Sequence, residues 1–156
     1  MYRGGRSGQA SKAGLSGVSV HRPVELLMSR TERSPVVLFV DDEIGLRTVY
    51  STALRYEGYT VLEAGSVEEA EQIVEVRDDP LDVLIVDVNL PDGWGSSVAQ
   101  TVTGFFPEVK VVYTTGFAEN DPILDGALED APLVLKKPFD KAALLSVVGE
   151  AAERVA

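Results

Sequence analysis

The chain of 156 residues has no cysteine and one histidine, His21. Without cysteine there can be no disulfide, thiolate metal site or cysteine nucleophile, and a single histidine argues against a His-rich metal centre. No apolar run approaches the roughly 18 residues of a membrane span. No apolar core of about seven residues follows the early arginines, so a secretory signal is not expected either. Positive charge is scarce as well, with 14 Lys and Arg against 25 Asp and Glu, a formal net charge of −11. Six of the 14 basic residues fall within the first 34 residues. Residues 1–34 carry a net +4, which leaves −15 for residues 35–156. A body that acidic argues against nucleic-acid binding and suits a metal ion or a basic protein surface.

What is present is the balance of a globular domain, 45% apolar and 25% charged. The length suits one domain with a sizeable core. Residues 1–34 are expected to form a disordered basic tail, because their first twenty residues are rich in Gly and Ser and show no apolar period. VELLM at 24–28 can form a short helix, and Met28 offers a second possible start of translation.

From Pro35 an alternation begins. VVLFV (36–40), LDVLIV (81–86), VKVVY (109–113) and LVL (133–135) are nearly continuous apolar runs, and YTVLEA (59–64) is a more mixed fifth. Continuous hydrophobicity marks parallel strands covered on both faces, with VVLFV expected at the centre. Helical patterns lie between them. Leu46, Val49, Tyr50, Ala53 and Leu54 make an apolar stripe that Gly58 ends. Ser66 and Glu69 form a capping box ahead of Val67, Ala70 and Val74. A third helix is expected over about 95–105 and a short fourth over about 121–129. A fifth, capped by Asp140, carries Leu144, Val148, Ala151 and Val155. Five β-α repeats with right-handed crossovers give an α/β fold, a doubly wound parallel sheet with helices on both faces. Ligands in such sheets sit beyond the carboxyl ends of the strands.

The chemistry-bearing residues lie at those ends. Asp41-Asp42-Glu43 follows the first strand, Asp87 with Val88-Asn89-Leu90-Pro91 the third, Thr114-Thr115-Gly116 the fourth and Lys136-Lys137-Pro138 the fifth. Alone, each is an ordinary turn, cap or surface residue; together they put carboxylates, a hydroxyl and an ammonium on one rim. Clustered carboxylates repel, and a divalent cation relieves the conflict. Oxygen-only ligands with room for water suit Mg2+, and the D-x-[DN]-x-[DN]-G spacing of a Ca2+ loop is missing. A carboxylate beside Mg2+ is a plausible phosphoryl acceptor, with Lys137 and a threonine hydroxyl to stabilise the transferred oxygens.

These residues resemble the receiver domain of bacterial two-component response regulators over about 35–155. The motifs are DDE at 41–43, DVNLPDGWG at 87–95, TTG at 114–116 and KKPF at 136–139, with separations of 45, 28 and 22 residues from Asp42 through Asp87 and Thr115 to Lys137. The resemblance implies a receiver over 35–156 with the flavodoxin-like strand order 2-1-3-4-5. It implies Asp87 as phosphoacceptor, Asp42 as a direct Mg2+ ligand, Asp41 as a ligand mainly through water, and Asn89 as a ligand through its backbone carbonyl. Thr115 becomes the switch hydroxyl and Lys137 the ion-pairing lysine ahead of a cis Pro138, while Glu43 starts the first helix. One position departs from the family pattern: Val134 stands where an aromatic often turns inward with the threonine. Phe117 is expected to screen the phosphoryl group from water, and Trp94 is either a local fluorescence reporter or a partly exposed loop aromatic.

The implied function is a cytoplasmic, single-domain phosphorelay receiver, not a turnover enzyme. It would take a phosphoryl group from a sensor histidine kinase or a histidine phosphotransfer protein and present a changed surface to a downstream target protein. That surface would be the short fourth helix, the fifth strand and the fifth helix. His21, followed by Arg22 and Pro23, lacks the context of a donor histidine. Two alternatives are a receiver segment of a hybrid histidine kinase and an aspartyl-phosphate phosphatase. The latter would need a second Asp where Asn89 stands.

Overall fold

A computed structural model describes residues 33–116 and 133–155, with side chains up to Glu153. Within the unit Ser34–Ala156, five strands form one parallel sheet. They are β1 (Val36–Val40), β2 (Thr60–Ala64), β3 (Val83–Asp87), β4 (Lys110–Thr115) and β5 (Val134–Lys136). Their order is β2-β1-β3-β4-β5, the flavodoxin-like arrangement. VVLFV is thus an interior strand, but β3 holds the centre. The apolar runs foretold the strands to within a residue or two, and β3 and β4 extend further toward their carboxyl ends, taking in Asp87 and Thr115.

Helices α1 (Ile44–Tyr56), α2 (Val67–Glu75), α3 (Gly95–Phe105) and α4 (Lys141–Val155) cover both faces. Alternate residues of each strand feed two separate cores. Leu38, Val40, Leu84, Val86 and Tyr113 pack with Ala70 and Val74 of α2 and with Val98 and Val102 of α3. Val37, Phe39, Val83, Ile85 and Val112 pack with Leu54 of α1 and with Leu144, Val148 and Ala151 of α4. The helix expected over 121–129, together with Phe117, His21 and the tail over 1–32, lies outside the described residues.

The helix ends follow local chemistry. Gly58 has φ +102 just past α1, where a side chain would be strained, and its amide donates to the Arg55 carbonyl. The Ser66 hydroxyl accepts from the Glu69 amide at 3.1 Å. The Glu69 carboxylate reaches back one residue beyond the usual capping box, to the Gly65 amide. Asp140 accepts from the Ala143 amide at 2.8 Å and so caps α4.

One stripe residue is misplaced by pattern reading. Val49 is 62% exposed, whereas Ser51 is fully buried. The helix turns its Tyr50–Leu54 side to the sheet because Tyr50 stacks on Phe139, with ring centroids 4.8 Å apart, and donates its hydroxyl to the Phe139 carbonyl. That rotation carries Val49 out of the interface.

Candidate functional site

The register of the sheet builds the site. Phe39 of β1 lies opposite Ile85 of β3. Two residues further along each strand, on the same face, come Asp41 and Asp87. On the far side of β3, Asp87 is paired with Thr114, and Thr115 is paired with Lys136 of β5. Adjacent parallel strands therefore bring the motifs together although long stretches of chain separate them.

Asp41 is completely buried. One of its carboxylate oxygens accepts from the Glu43 amide at 2.9 Å, and the other from Lys137 Nζ at 2.9 Å. Asp87 has the same pattern: Oδ1 accepts from the Asn89 amide at 3.1 Å and Oδ2 from Lys137 Nζ at 2.7 Å. The ammonium thus bridges two carboxylates. Burial pushes the Lys137 pKa down, but the bonds and charges of Asp87 and Asp41 outweigh it, so the pKa stays above its ordinary value. Asp87 moves up as well. Burial is the largest cause and the Asp41 charge adds to it, against the Lys137 bond, the Asn89 amide and the Lys137 charge.

Asp42 is exposed. Carboxylate oxygens of Asp41, Asp42 and Asp87 lie within 4.8 Å of one another, a cluster able to hold a metal ion. A cavity of about 450 Å³ opens beside it, lined by Asp42, Asp87, Asn89, Thr115, Gly116 and Lys137 among others. The Lys137–Pro138 bond is cis, and the Lys137 amide donates to the Thr115 carbonyl at 2.7 Å. Lys136 is exposed, Val134 is 37% exposed, and Trp94, paired with Asn89, is 43% exposed. Glu43 occupies the N-cap of α1 without a side-chain capping bond.

Thr114 differs from its neighbour. It is buried on the opposite face, and its hydroxyl has no hydrogen-bond partner among the described residues. A buried hydroxyl left unpaired costs about 1–3 kcal/mol. Thr114→Val keeps the β-branched shape and is expected to raise the melting temperature by a few degrees. A lower melting temperature would show that the hydroxyl is bonded.

Three contacts at the site have no counterpart in sequence reasoning. Gly95, which opens α3, has room for no side chain, because an added Cβ would lie 2.1 Å from the Asp87 carbonyl oxygen. Arg47 donates to the Asp41 carbonyl at 2.6 Å. Asp92 caps α2 from a distance in sequence, accepting from the Val67 and Glu68 amides at 2.8 and 3.0 Å. Only Gly95 left a signal, as a glycine at a strand-to-helix junction, where backbones approach closely.

The two amide bonds hold the Asp92 pKa below the ordinary carboxylate value. A carboxylate whose pKa is depressed on folding stabilises the fold above its unfolded pKa and stops doing so as pH falls through the folded one. Asp92→Ala is therefore expected to lower the melting temperature at neutral pH, with the gap to wild type closing below the ordinary carboxylate range. A gap independent of pH would contradict this origin.

Comparison with known proteins agrees with this geometry. The family model for the response regulator receiver domain matches residues 37–149. The chain belongs to that family. The receiver is 34% identical to sensor kinase CckA of Brucella abortus over 122 residues, 78% of this chain and 13% of that protein. It is 27% identical to sporulation initiation phosphotransferase F of Bacillus subtilis over 104 residues, 67% of this chain and 82% of that protein. A receiver-domain structure from Clostridium thermocellum superposes with a TM-score of 0.67 at 26% identity, covering 77% of this chain and 95% of that one. The receiver spans only 13% to 47% of three curated relatives that it matches. Receiver domains are signalling modules, not turnover enzymes, and they bind Mg2+ in an acidic pocket such as the one formed here. No helix among the described residues is long and apolar enough to cross a membrane.

Proposed function

We propose that this receiver, occupying residues 35–156 behind a basic tail, accepts a phosphoryl group on Asp87 from a sensor histidine kinase or a histidine phosphotransfer protein. A cytoplasmic setting and a downstream protein target belong to the same reading. The observation that carries it is the convergence of Asp41, Asp42 and Asp87, with Lys137 bridging Asp41 and Asp87, beside an accessible cavity. The donor set is all oxygen, with buried and exposed carboxylates side by side, and fits Mg2+. Asp42, Asp87 and the Asn89 carbonyl would hold the ion directly, and Asp41 through water. When bound, Mg2+ supplies positive charge against the transferred phosphoryl oxygens.

The remaining work falls to the chain. An Asp87 carboxylate oxygen attacks phosphorus as the P–N bond to the donor histidine breaks. The bond pair leaves with the imidazole, which takes up a proton. Lys137, already within hydrogen-bond distance of Asp87, follows the negative charge onto the phosphoryl oxygens. Thr115, on the cavity wall, donates its hydroxyl to one of them. Water later attacks phosphorus as the P–O bond to Asp87 breaks, the electron pair returns to the Asp87 carboxylate, and inorganic phosphate leaves. Because Thr115 is paired with β5 and bonded to Lys137 through the backbone, its movement would reach β5 and α4, the surface offered to a target. With Val134 half open to solvent, that surface would change without an aromatic at this position.

The test is incubation of the full chain with Mg2+ and acetyl phosphate, read by intact mass. One added phosphoryl group, abolished by chelating the metal, is expected. No mass increase would refute the proposal. Steady release of phosphate far beyond the protein concentration would favour a phosphatase.

A further inference from the structure

We infer that Arg47 is a positioning residue for the metal-binding end of β1, acting through the backbone carbonyl of Asp41. This rests on the receiver reading of the acidic cluster. The parallel ladder between β1 and β2 ends where the Asp41 amide donates to the Ala64 carbonyl at 3.0 Å. Beyond that point β2 cannot supply a donor for the carbonyl of Asp41. The Gly65 amide is taken by Glu69, and Ser66 turns the chain into α2. Buried carbonyls require a partner. Arg47 provides it from the first turns of α1, with Nη1 2.6 Å from the Asp41 oxygen.

The guanidinium is itself held on two sides. Its Nε donates to Glu63 Oε1 at 3.1 Å, and the other oxygen of Glu63 accepts from Arg55 Nη2 at 3.0 Å. A Cβ on Gly65 would lie 2.9 Å from Arg47 Nη1, so that glycine makes the room the guanidinium occupies. A planar fork with separated donors can serve a carboxylate and a carbonyl at once, which an ammonium cannot do in the same geometry. The consequence falls on the peptide joining Asp41 to Asp42. With its carbonyl fixed, the peptide cannot rotate, and Asp42, exposed and otherwise lightly held, stays aimed at the cavity. Asp41 likewise keeps its carboxylate between the Glu43 amide and Lys137.

The experiment compares full-length wild type with Arg47→Gln, Arg47→Lys and Arg55→Gln. Mg2+ affinity is measured by calorimetry, and exchange of the Glu43 amide is measured in metal-free protein. Loss of a partner that orients a ligand typically weakens metal binding about 10–100-fold. Arg47→Gln is expected to fall in that range and to exchange the Glu43 amide faster. Arg55→Gln removes the outer ion pair and the bond from Arg55 Nη2 to the Val61 carbonyl, leaves the bond from Arg47 to the Asp41 carbonyl in place, and should match wild type in both readouts. A merely structural role would lower the melting temperature of both variants and leave affinity and exchange unchanged. Wild-type affinity and Glu43 protection in folded Arg47→Gln would overturn the inference alone. Should that variant not fold, Arg47→Lys, which keeps the charge and loses the fork, carries the same comparison. A wild type that takes up neither Mg2+ nor a phosphoryl group would overturn the receiver reading and this inference with it.

Discussion

Asp87→Asn is expected to abolish phosphoryl uptake from acetyl phosphate, leaving the intact mass unchanged under conditions that label wild type. The substitution retains the shape of the side chain and removes the proposed nucleophile, since an amide oxygen has neither the charge nor the basicity to attack phosphorus. Asp41 and Asp42 remain and are not expected to substitute. Asp41 is completely buried and bonded on both oxygens. The fold should not suffer. Burial raises the Asp87 pKa, so ionised Asp87 opposes folding above the ordinary carboxylate pKa, increasingly until the folded pKa is passed. The Asn variant has no such penalty, and Lys137 keeps Asp41 as a partner. In metal-free buffer near neutral pH, the melting temperature of Asp87→Asn should equal or exceed that of wild type. Equal labelling of the two proteins would remove Asp87 from the mechanism. Lost labelling with a collapsed melting temperature would point to misfolding instead.

Gly95→Ala should be the most damaging single methyl group in the described region. Its Cβ would sit 2.1 Å from the Asp87 carbonyl oxygen, 3.0 Å from the carbonyl carbon and 3.2 Å from Val86 Cγ2. None of these atoms can yield cheaply. Val86 and Asp87 belong to the central strand, which is paired with β1 on one side and β4 on the other, and the Gly95 amide is bonded to the Val88 carbonyl at 2.7 Å. Either the start of α3 or the end of β3 must move. Overpacking of this kind costs about 1–3 kcal/mol, enough to lower the melting temperature by several degrees. A displacement of about 1 Å at Asp87 would also slow phosphoryl uptake by around a hundredfold. Gly104 is the internal control. It lies in the same helix with nothing within 4 Å of an added Cβ, so Gly104→Ala should stabilise by about 0.5–1 kcal/mol. Thermal unfolding and labelling rates of both variants check the contrast. Similar behaviour of the two would mean that close approach is not what requires Gly95.

The sequence by itself determined the layout. Four nearly continuous apolar runs and a more mixed fifth read as strands covered on both faces, and the helical stripes between them leave a doubly wound sheet as the arrangement. Side-chain caps are local, acting over three residues or so, which is why Ser66 and Asp140 were legible as helix starts. The motifs at the strand ends were legible because parallel strands necessarily end on one rim.

The tertiary structure decided which atoms meet. Lys137 bridges Asp41 and Asp87 across separations of 96 and 50 residues, and Asp92 caps a helix about 25 residues away. No periodicity encodes such pairs, since they depend on register and on where loops return. The rotation of α1 that exposes Val49 and buries Ser51 was set by Tyr50 packing on Phe139, a residue 89 positions distant. No sequence pattern marks Arg47; its bond to the Asp41 carbonyl arises where the β1–β2 ladder ends and leaves that carbonyl without a strand partner. Local patterns in a chain specify elements and their ends. The hydrogen bonds that aim the carboxylates of the site are settled only once distant segments are packed, because their strength depends on distances of tenths of an ångström.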